Sequence, residues 1–336
     1  MTDRERWGFL DALRGIAVAG ILFVNIPDLV DLGVDVPPGS DVEDREPLDY
    51  LVQTRFIPIF TVLFGMSLVF VLRSARVRGR RDWLAVLLRL LSLFGIGLLH
   101  ALIFSGDILR AYAVSGVLLL PIILLTPRLL QLVVGLAAVI AAYALAGGGL
   151  AATPGLMLTG AALTAYGAPR ALETGALPVR WTFSAACVLL VPALYWQSTD
   201  PGDPRFSTAG SVAGLVMATW YVCGLSLLWT TRVRRVIAAF FDPLGRMALS
   251  NYVGGSLIVY AVAQVIDFRS MISAAPTSAL ATVILLMQSL VSRLWLRYFA
   301  QGPLEWVWRS LTWREPQALR RRPQPGAVLA PPRSDR

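Results

Sequence analysis

The chain has 336 residues, of which 56% are hydrophobic and 15% charged, and its mean hydropathy is +0.64. A soluble domain of this size cannot bury so much apolar surface, so a soluble globular protein is excluded. The net charge of +9 does not indicate a nucleic-acid partner. The arginines behind it lie mostly in short gaps between apolar runs, which is typical of the cytoplasmic loops of membrane proteins.

Ten apolar segments are long enough, or nearly so, to cross the hydrocarbon layer of a lipid bilayer. They predict an all-α fold, a polytopic transmembrane helical bundle of about ten spans with both termini cytoplasmic. The sixth, LAATPGLMLTGAALTAYGA, is the weakest, yet omitting it would place several arginine clusters on the outer side. The segments lie near residues 9–30, 50–72, 83–104, 108–126, 129–147, 149–167, 181–198, 208–231, 247–267 and 277–298.

The first segment carries polar side chains on one face of its helix. At about 100° and 1.5 Å per residue, Asn25 returns nearly to the azimuth of Arg14, roughly 16 Å farther along the axis. Polar groups at membrane depth usually face a bundle interior or a cavity, which makes this face a candidate site. Arg14 is predicted either to bind a phosphate group of a donor substrate or to pair with Asp11. Asn25 is predicted either to stabilise an oxyanion or to bond another helix.

His100 is the only histidine and ends the third predicted span. Asp107 follows in a short extracytoplasmic turn, and Arg110 opens the fourth span. A carboxylate that orients a histidine makes it a stronger base, so we expect His100 to act as a general base with Asp107 as its partner. The alternatives are a structural histidine, an N-terminal helix cap for Asp107 and a simple ion pair between Asp107 and Arg110.

Two further polar residues lie in or beside predicted spans. Arg55, at the outer end of the second span, is expected either to reach the membrane surface or to bind substrate in a cavity. Asn251, at the start of the ninth span, is expected to form hydrogen bonds between packed helices, with binding of a donor substrate as the second possibility. Arg89 is close enough to a predicted cytoplasmic end for its side chain to extend to the surface.

Three blocks resemble the YeiB-type (DUF418) family of bacterial multi-pass membrane proteins. They are LDALRGIAVAGILFVNI near the N-terminus, FTVLFGMSLVF with GLLHALIFSGDILRAYAVSG, and PLGRMALSNY with GPLEWVWRSLTW. The resemblance divides the chain into an N-terminal transmembrane region at 1–147 and a C-terminal region of unknown-function type at 148–316. A basic tail at 317–336 is expected to be disordered.

The family is also similar to transmembrane acyltransferases, in some of which the first helix carries an Arg and then, after ten intervening residues, a His. Here Arg14 is followed at that spacing by Asn25, so proton transfer would fall to His100. The resemblance implies a protein of the bacterial cytoplasmic membrane that transfers an acyl group from cytoplasmic acyl-CoA to an extracytoplasmic glycan or other envelope acceptor, with no tightly bound cofactor. Because the chain has one histidine and two cysteines, both within predicted spans, we expect no metal site. A transporter of a small molecule and a non-catalytic membrane scaffold remain alternatives.

Overall fold

A computed structural model describes residues 7–36, 46–200 and 203–320. Over these residues the fold is all-helical, and its single β-type contact is an isolated bridge between Phe299 and Arg320. Seven helices are long and apolar enough to cross a membrane. They are α1 (Gly8–Leu29), α3 (Phe56–Val77), α4 (Asp82–His100), α6 (Arg128–Ala146), α9 (Leu177–Thr199), α10 (Thr208–Trp229) and α13 (Ala275–Tyr298).

Three shorter apolar helices complete the set of predicted segments, so each of the ten segments contains an apolar helix. They are α5 (Leu109–Leu125), α7 (Thr153–Ala165), which follows a 3-10 turn at Gly149–Ala152, and α12 (Ala248–Ala263). Four other helices were not predicted: α2 (Glu46–Leu51), α8 (Ala168–Thr174), α11 (Arg234–Arg246) and α14 (Pro303–Trp313). Residues 317–320 of the predicted tail lie beside α14, where the indole of Trp306 donates to the carbonyl of Gln317. The rest of the tail lies outside the described residues.

The weakest predicted span, α7, is almost completely buried inside the bundle. Its small residues allow other backbones to approach closely: a methyl group on Gly160 would lie 2.2 Å from the carbonyl oxygen of Val62 in α3. From the other side, a methyl group on Gly65 would lie 1.9 Å from the carbonyl oxygen of Met157. Small residues are common where membrane helices pack this tightly. The low hydropathy of α7 therefore reflects contact with protein instead of lipid.

The first helix packs in the same way against α11. A methyl group on Gly15 would lie 2.1 Å from the carbonyl oxygen of Phe241, and one on Gly245 would lie 1.7 Å from that of Asp11. At its N-terminus, the backbone N–H of Phe9 donates to Glu173 in α8. These contacts fix the start of α1, and with it the orientation of the polar face predicted from the sequence.

The last helix, α14, joins the starts of α4 and α12. The carboxylate of Glu305 accepts hydrogen bonds from the backbone N–H groups of Leu249 and Ser250, at 2.7 and 3.1 Å. It also accepts from the Ser250 hydroxyl at 2.5 Å. The first N–H groups of a helix have no acceptor within the helix. Glu305 provides that acceptor for α12 from another segment of the chain. Near Glu305 lie Arg14, Arg89 and Arg309, and we call this region the arginine-rich end of the bundle.

The close contact between α3 and α7 predicts that Gly160→Ala destabilises the protein. The added methyl group would overlap the Val62 carbonyl, and overpacking of this kind costs about 1–3 kcal/mol. Thermal unfolding in detergent measures the change as a lower midpoint. Gly95→Ala is the matched control, because no atom lies within 4 Å of a methyl group there. Equal midpoints for the two variants would contradict the packing described.

The burial of Glu305 predicts that the stability of the folded protein depends on pH. Burial raises the pKa of Glu305 above its ordinary 4.5, although its hydrogen bonds oppose the change. The folded state then holds the proton more tightly, so this contribution is present below pH 4.5 and is lost as the pH rises through the raised pKa. In thermal unfolding across this range, Glu305→Gln is expected to flatten the dependence, whereas Glu305→Ala loses about 0.5–2 kcal/mol at every pH. Parallel curves for wild type and Glu305→Gln would show the prediction to be wrong.

Candidate functional site

The site is built at the hairpin between α4 and α5. The last turn of α4 continues into a tight loop in which the N–H of Phe104 donates to the carbonyl of His100, and that of Asp107 to Phe104. This loop turns the Asp107 side chain back toward the helix that it follows. As a result, Nδ1 of His100 and Oδ1 of Asp107 are 2.7 Å apart, and the two side chains are only 1% and 0% exposed.

The second oxygen of Asp107 contacts the start of α5. Oδ2 accepts a hydrogen bond of 3.2 Å from the backbone N–H of Arg110 and lies 3.6 Å from Nε of its guanidinium. Asp107 therefore satisfies a helix N-terminus, pairs with Arg110 and holds His100 at the same time. Glycine is required at position 97, because a methyl group there would lie 2.9 Å from Oδ2.

The hydrogen bond to Asp107 determines which imidazole nitrogen is available for chemistry. An ionised carboxylate can only accept, so Nδ1 of a neutral His100 carries the proton and Nε2 keeps a free electron pair. Nε2 is buried, and no described residue forms a hydrogen bond with it. An oriented imidazole with a free Nε2 has the arrangement of a general base.

The ring of Tyr252 in α12 lies against this base. The ring centroids of His100 and Tyr252 are 5.0 Å apart. The Tyr252 hydroxyl is buried, and no described residue forms a hydrogen bond of normal geometry with it. The Asn25 side chain and the backbone of Ile108 nevertheless approach the hydroxyl, and the Asp107 carboxylate acts on it electrostatically. Tyr252 was not among the site residues predicted from the sequence. The one feature that could have indicated it is its position at the end of the PLGRMALSNY block.

Asn25 borders a narrow cavity between α1, α12 and α13. The cavity has a volume of about 10 Å³, which is room for about one water molecule. Its polar lining consists of Asn25, Asn251, Tyr252, Ser256 and Gln288. Asn251 also bonds Ser292 of α13 at 3.0 Å and the carbonyl of Leu244, in keeping with the expected packing role. Tyr252 thus stands between Asn25 and His100.

Arg14 lies at the arginine-rich end, away from His100. Its guanidinium bonds Asp11 at 3.1 Å, while 28% of the side chain stays exposed. Arg14, Arg309 and Glu305 all act electrostatically on Arg89. Three guanidinium groups therefore gather at this end.

Arg89 is held in place by α14. Its guanidinium stacks 3.5 Å above the Trp308 ring, whose indole N–H donates to the Arg89 carbonyl at 2.8 Å. Nε of Arg89 is buried and unbonded among the described residues. The expectation that Arg89 simply extends to the surface is therefore incomplete, because α14 covers it.

Arg55 has an environment of its own. Its guanidinium is completely buried and donates to Gln197 of α9 and to the carbonyl of Gln53, both at 2.5 Å. The expectation that Arg55 reaches the membrane surface is wrong, because these partners hold it between helices. The structure therefore unites His100, Asp107 and Arg110, brings Asn25 near them through Tyr252, and leaves Arg14 and Arg55 elsewhere.

Comparison with known proteins gives a family match in the C-terminal part of the chain and relatives that are similar along most of its length. Residues 169–315 match the family model described as "Protein of unknown function (DUF418)". The chain is 29% identical to an uncharacterised 39.9 kDa protein from the amylase 3' region of Bacillus acidopullulyticus, over 92% of this chain and 94% of the relative. It is 26% identical to the uncharacterised proteins YxaH of Bacillus subtilis and YeiB of Escherichia coli. These matches cover 92% of this chain and 94% and 97% of the two relatives.

The family match and the apolar helices agree with the sequence blocks noted at the outset. The helices identify an integral membrane protein with several apolar helices of spanning length. Residues 169–315 match the DUF418 region, and the chain is similar to the YeiB-type proteins over 92% of its length.

Proposed function

We propose that the protein is a membrane acyltransferase that moves an acyl group from acyl-CoA to a glycan or other envelope acceptor. The buried pair of His100 and Asp107, with Nε2 of the histidine free, carries this proposal. It supplies the general base that acyl transfer requires, in place of the histidine that related acyltransferases carry in the first helix.

The two ends of the bundle suit different substrates. Arg14, Arg89 and Arg309 gather positive charge at one end, and guanidinium groups bind phosphates well. The phosphates of acyl-CoA would contact this end, and the extended pantetheine arm would reach toward His100. Nε2 would take the proton of the acceptor hydroxyl or amine as its oxygen or nitrogen attacks the thioester carbonyl. The C–S bond then breaks, and the proton passes to the departing thiolate.

The proposal includes a topology. All ten apolar helices would cross the membrane of a bacterial cell, with both termini and the arginine-rich end in the cytoplasm, as the positive-inside rule requires. The α4–α5 hairpin would then face the outside, where an envelope acceptor is available. Because the cavity beside Asn25 holds about 10 Å³, α1 and α12 must move apart when an acyl group enters.

The base assignment predicts that His100→Gln abolishes transfer but leaves the fold intact. A glutamine amide can still donate to Asp107 but cannot take a proton, so the rate is expected to fall by about 100-fold or more. The assay uses the purified protein in proteoliposomes with radiolabelled acetyl-CoA, and with glucosamine as the probe acceptor. Thermal unfolding confirms folding of each variant, which matters because His100→Ala would leave the Asp107 carboxylate buried without its partner.

Two outcomes would contradict the proposal. If folded His100→Gln protein acetylates as fast as wild type, His100 is not the general base. Uptake of labelled glucosamine into the vesicles without covalent change, equally in wild type and His100→Gln, would indicate a transporter instead.

Binding of the acyl-CoA phosphates at the arginine-rich end predicts that Arg14→Gln changes KM and not kcat. Loss of one charged contact to phosphate is expected to raise KM for acetyl-CoA about tenfold with little change in kcat. Arg269→Gln is the control, because Arg269 is exposed and pairs with Asp31 and Asp35 in the loops. A reduced kcat with unchanged KM would place Arg14 outside the donor site.

A further inference from the structure

Two buried polar atoms without hydrogen-bond partners lie in one place. They are Nε2 of His100 and the hydroxyl of Tyr252, on rings whose centroids are 5.0 Å apart. A buried polar group without a partner costs about 1–3 kcal/mol, and most such groups in proteins are satisfied. Here one of the two atoms is the free nitrogen of the proposed base, so the pair is a place where a substrate could supply the partner.

Tyr252 reaches both parts of the site. One side of its ring packs against His100, and the residue also lines the cavity that Asn25 borders. The Asn25 side chain approaches the Tyr252 hydroxyl, but the two do not form a hydrogen bond of normal geometry. A small oxygen atom between them would accept from both the hydroxyl and the amide.

We propose that Tyr252 is a catalytic residue, whose hydroxyl and the Asn25 amide donate hydrogen bonds to the thioester oxygen of an acyl-CoA. This inference rests on the proposed acyltransferase function and adds to it the group that stabilises the oxyanion. When the acceptor attacks, the carbonyl π bond opens and its electron pair moves to this oxygen. The pair returns as the C–S bond breaks, while His100 carries the proton from acceptor to thiolate. Donors held in place for the developing charge contribute about 100- to 1000-fold in rate each.

If the Tyr252 hydroxyl had a structural role instead, Tyr252→Phe would lower the stability of the protein. A hydroxyl that fastened helices would have a partner in the folded protein, and its removal would destabilise the bundle. This hydroxyl makes no hydrogen bond of normal geometry with a described residue, although Asn25 and the Ile108 backbone approach it, so its removal is expected to leave stability equal to or above that of wild type. Stability and activity should therefore separate in Tyr252→Phe.

The experiment compares wild type, Tyr252→Phe and Tyr260→Phe. Tyr260 is on the same helix and is 47% exposed, so it controls for loss of a hydroxyl from α12. In proteoliposomes with acetyl-CoA and glucosamine, Tyr252→Phe is expected to lower kcat by about 100-fold or more, with KM within about threefold. Its thermal midpoint should equal or exceed that of wild type, and Tyr260→Phe should match wild type in both measurements.

A double variant tests whether Tyr252 and Asn25 hold the same oxygen. Asn25→Ala alone is expected to lower kcat by a similar factor, and the double variant by less than the product of the two factors. Losses that multiply in full would overturn the shared oxyanion site.

The outcomes separate this inference from the proposed function. If wild type transfers acetyl groups and His100→Gln does not, but Tyr252→Phe is as active as wild type, the inference alone is wrong. A drop in activity accompanied by a lower thermal midpoint would also overturn it, in favour of a structural hydroxyl. If folded wild type transfers no acetyl group to glucosamine, the proposed function fails and this inference fails with it.

Discussion

A helical bundle in lipid must satisfy its buried polar groups from within, because the hydrocarbon offers no hydrogen bonds. Most of this chain obeys that constraint. Glu305 bonds the N-terminal amides of α12, Asn251 bonds Ser292, and Arg55 bonds Gln197. Several buried side-chain atoms have no hydrogen bond among the described residues, including Nε of Arg55 and Nε of Arg89. Those of His100 and Tyr252 belong to two rings in contact with each other, and the proposed chemistry depends on that contact.

The ten apolar segments and the pairing of His100 with Asp107 could be predicted from the sequence because both depend on local spacing. Hydropathy over about 20 residues identifies a spanning helix, and seven residues around a tight turn bring histidine and aspartate together. For Arg14, the sequence allowed either phosphate binding or a pair with Asp11. The hydrogen bond to Asp11, three residues away, is the local one of these two and is present. Local spacing likewise explains why Asp107 both caps α5 and pairs with Arg110.

What the sequence did not reveal depends on contacts between distant segments. Tyr252 meets His100 only because α12 packs against the α4–α5 hairpin, and one sequence contains no signal for that pairing. Arg55 appeared to be a surface arginine because its partner Gln197 is far away in the chain. The helices α11 and α14 were missed for another reason: they are short and amphipathic, and they lie beside spans instead of crossing.

The contacts of α14 have a consequence for biosynthesis. A ribosome completes α4 and α12 well before it reaches Trp308 and Glu305, yet those residues cover Arg89 and cap α12. Until α14 is made, the first amides of α12 lack the Glu305 carboxylate and Arg89 lacks its aromatic cover. The arginine-rich end is the last part of the protein to acquire its final form, and a chain shortened before α14 would enter the membrane with its helices made and that end open.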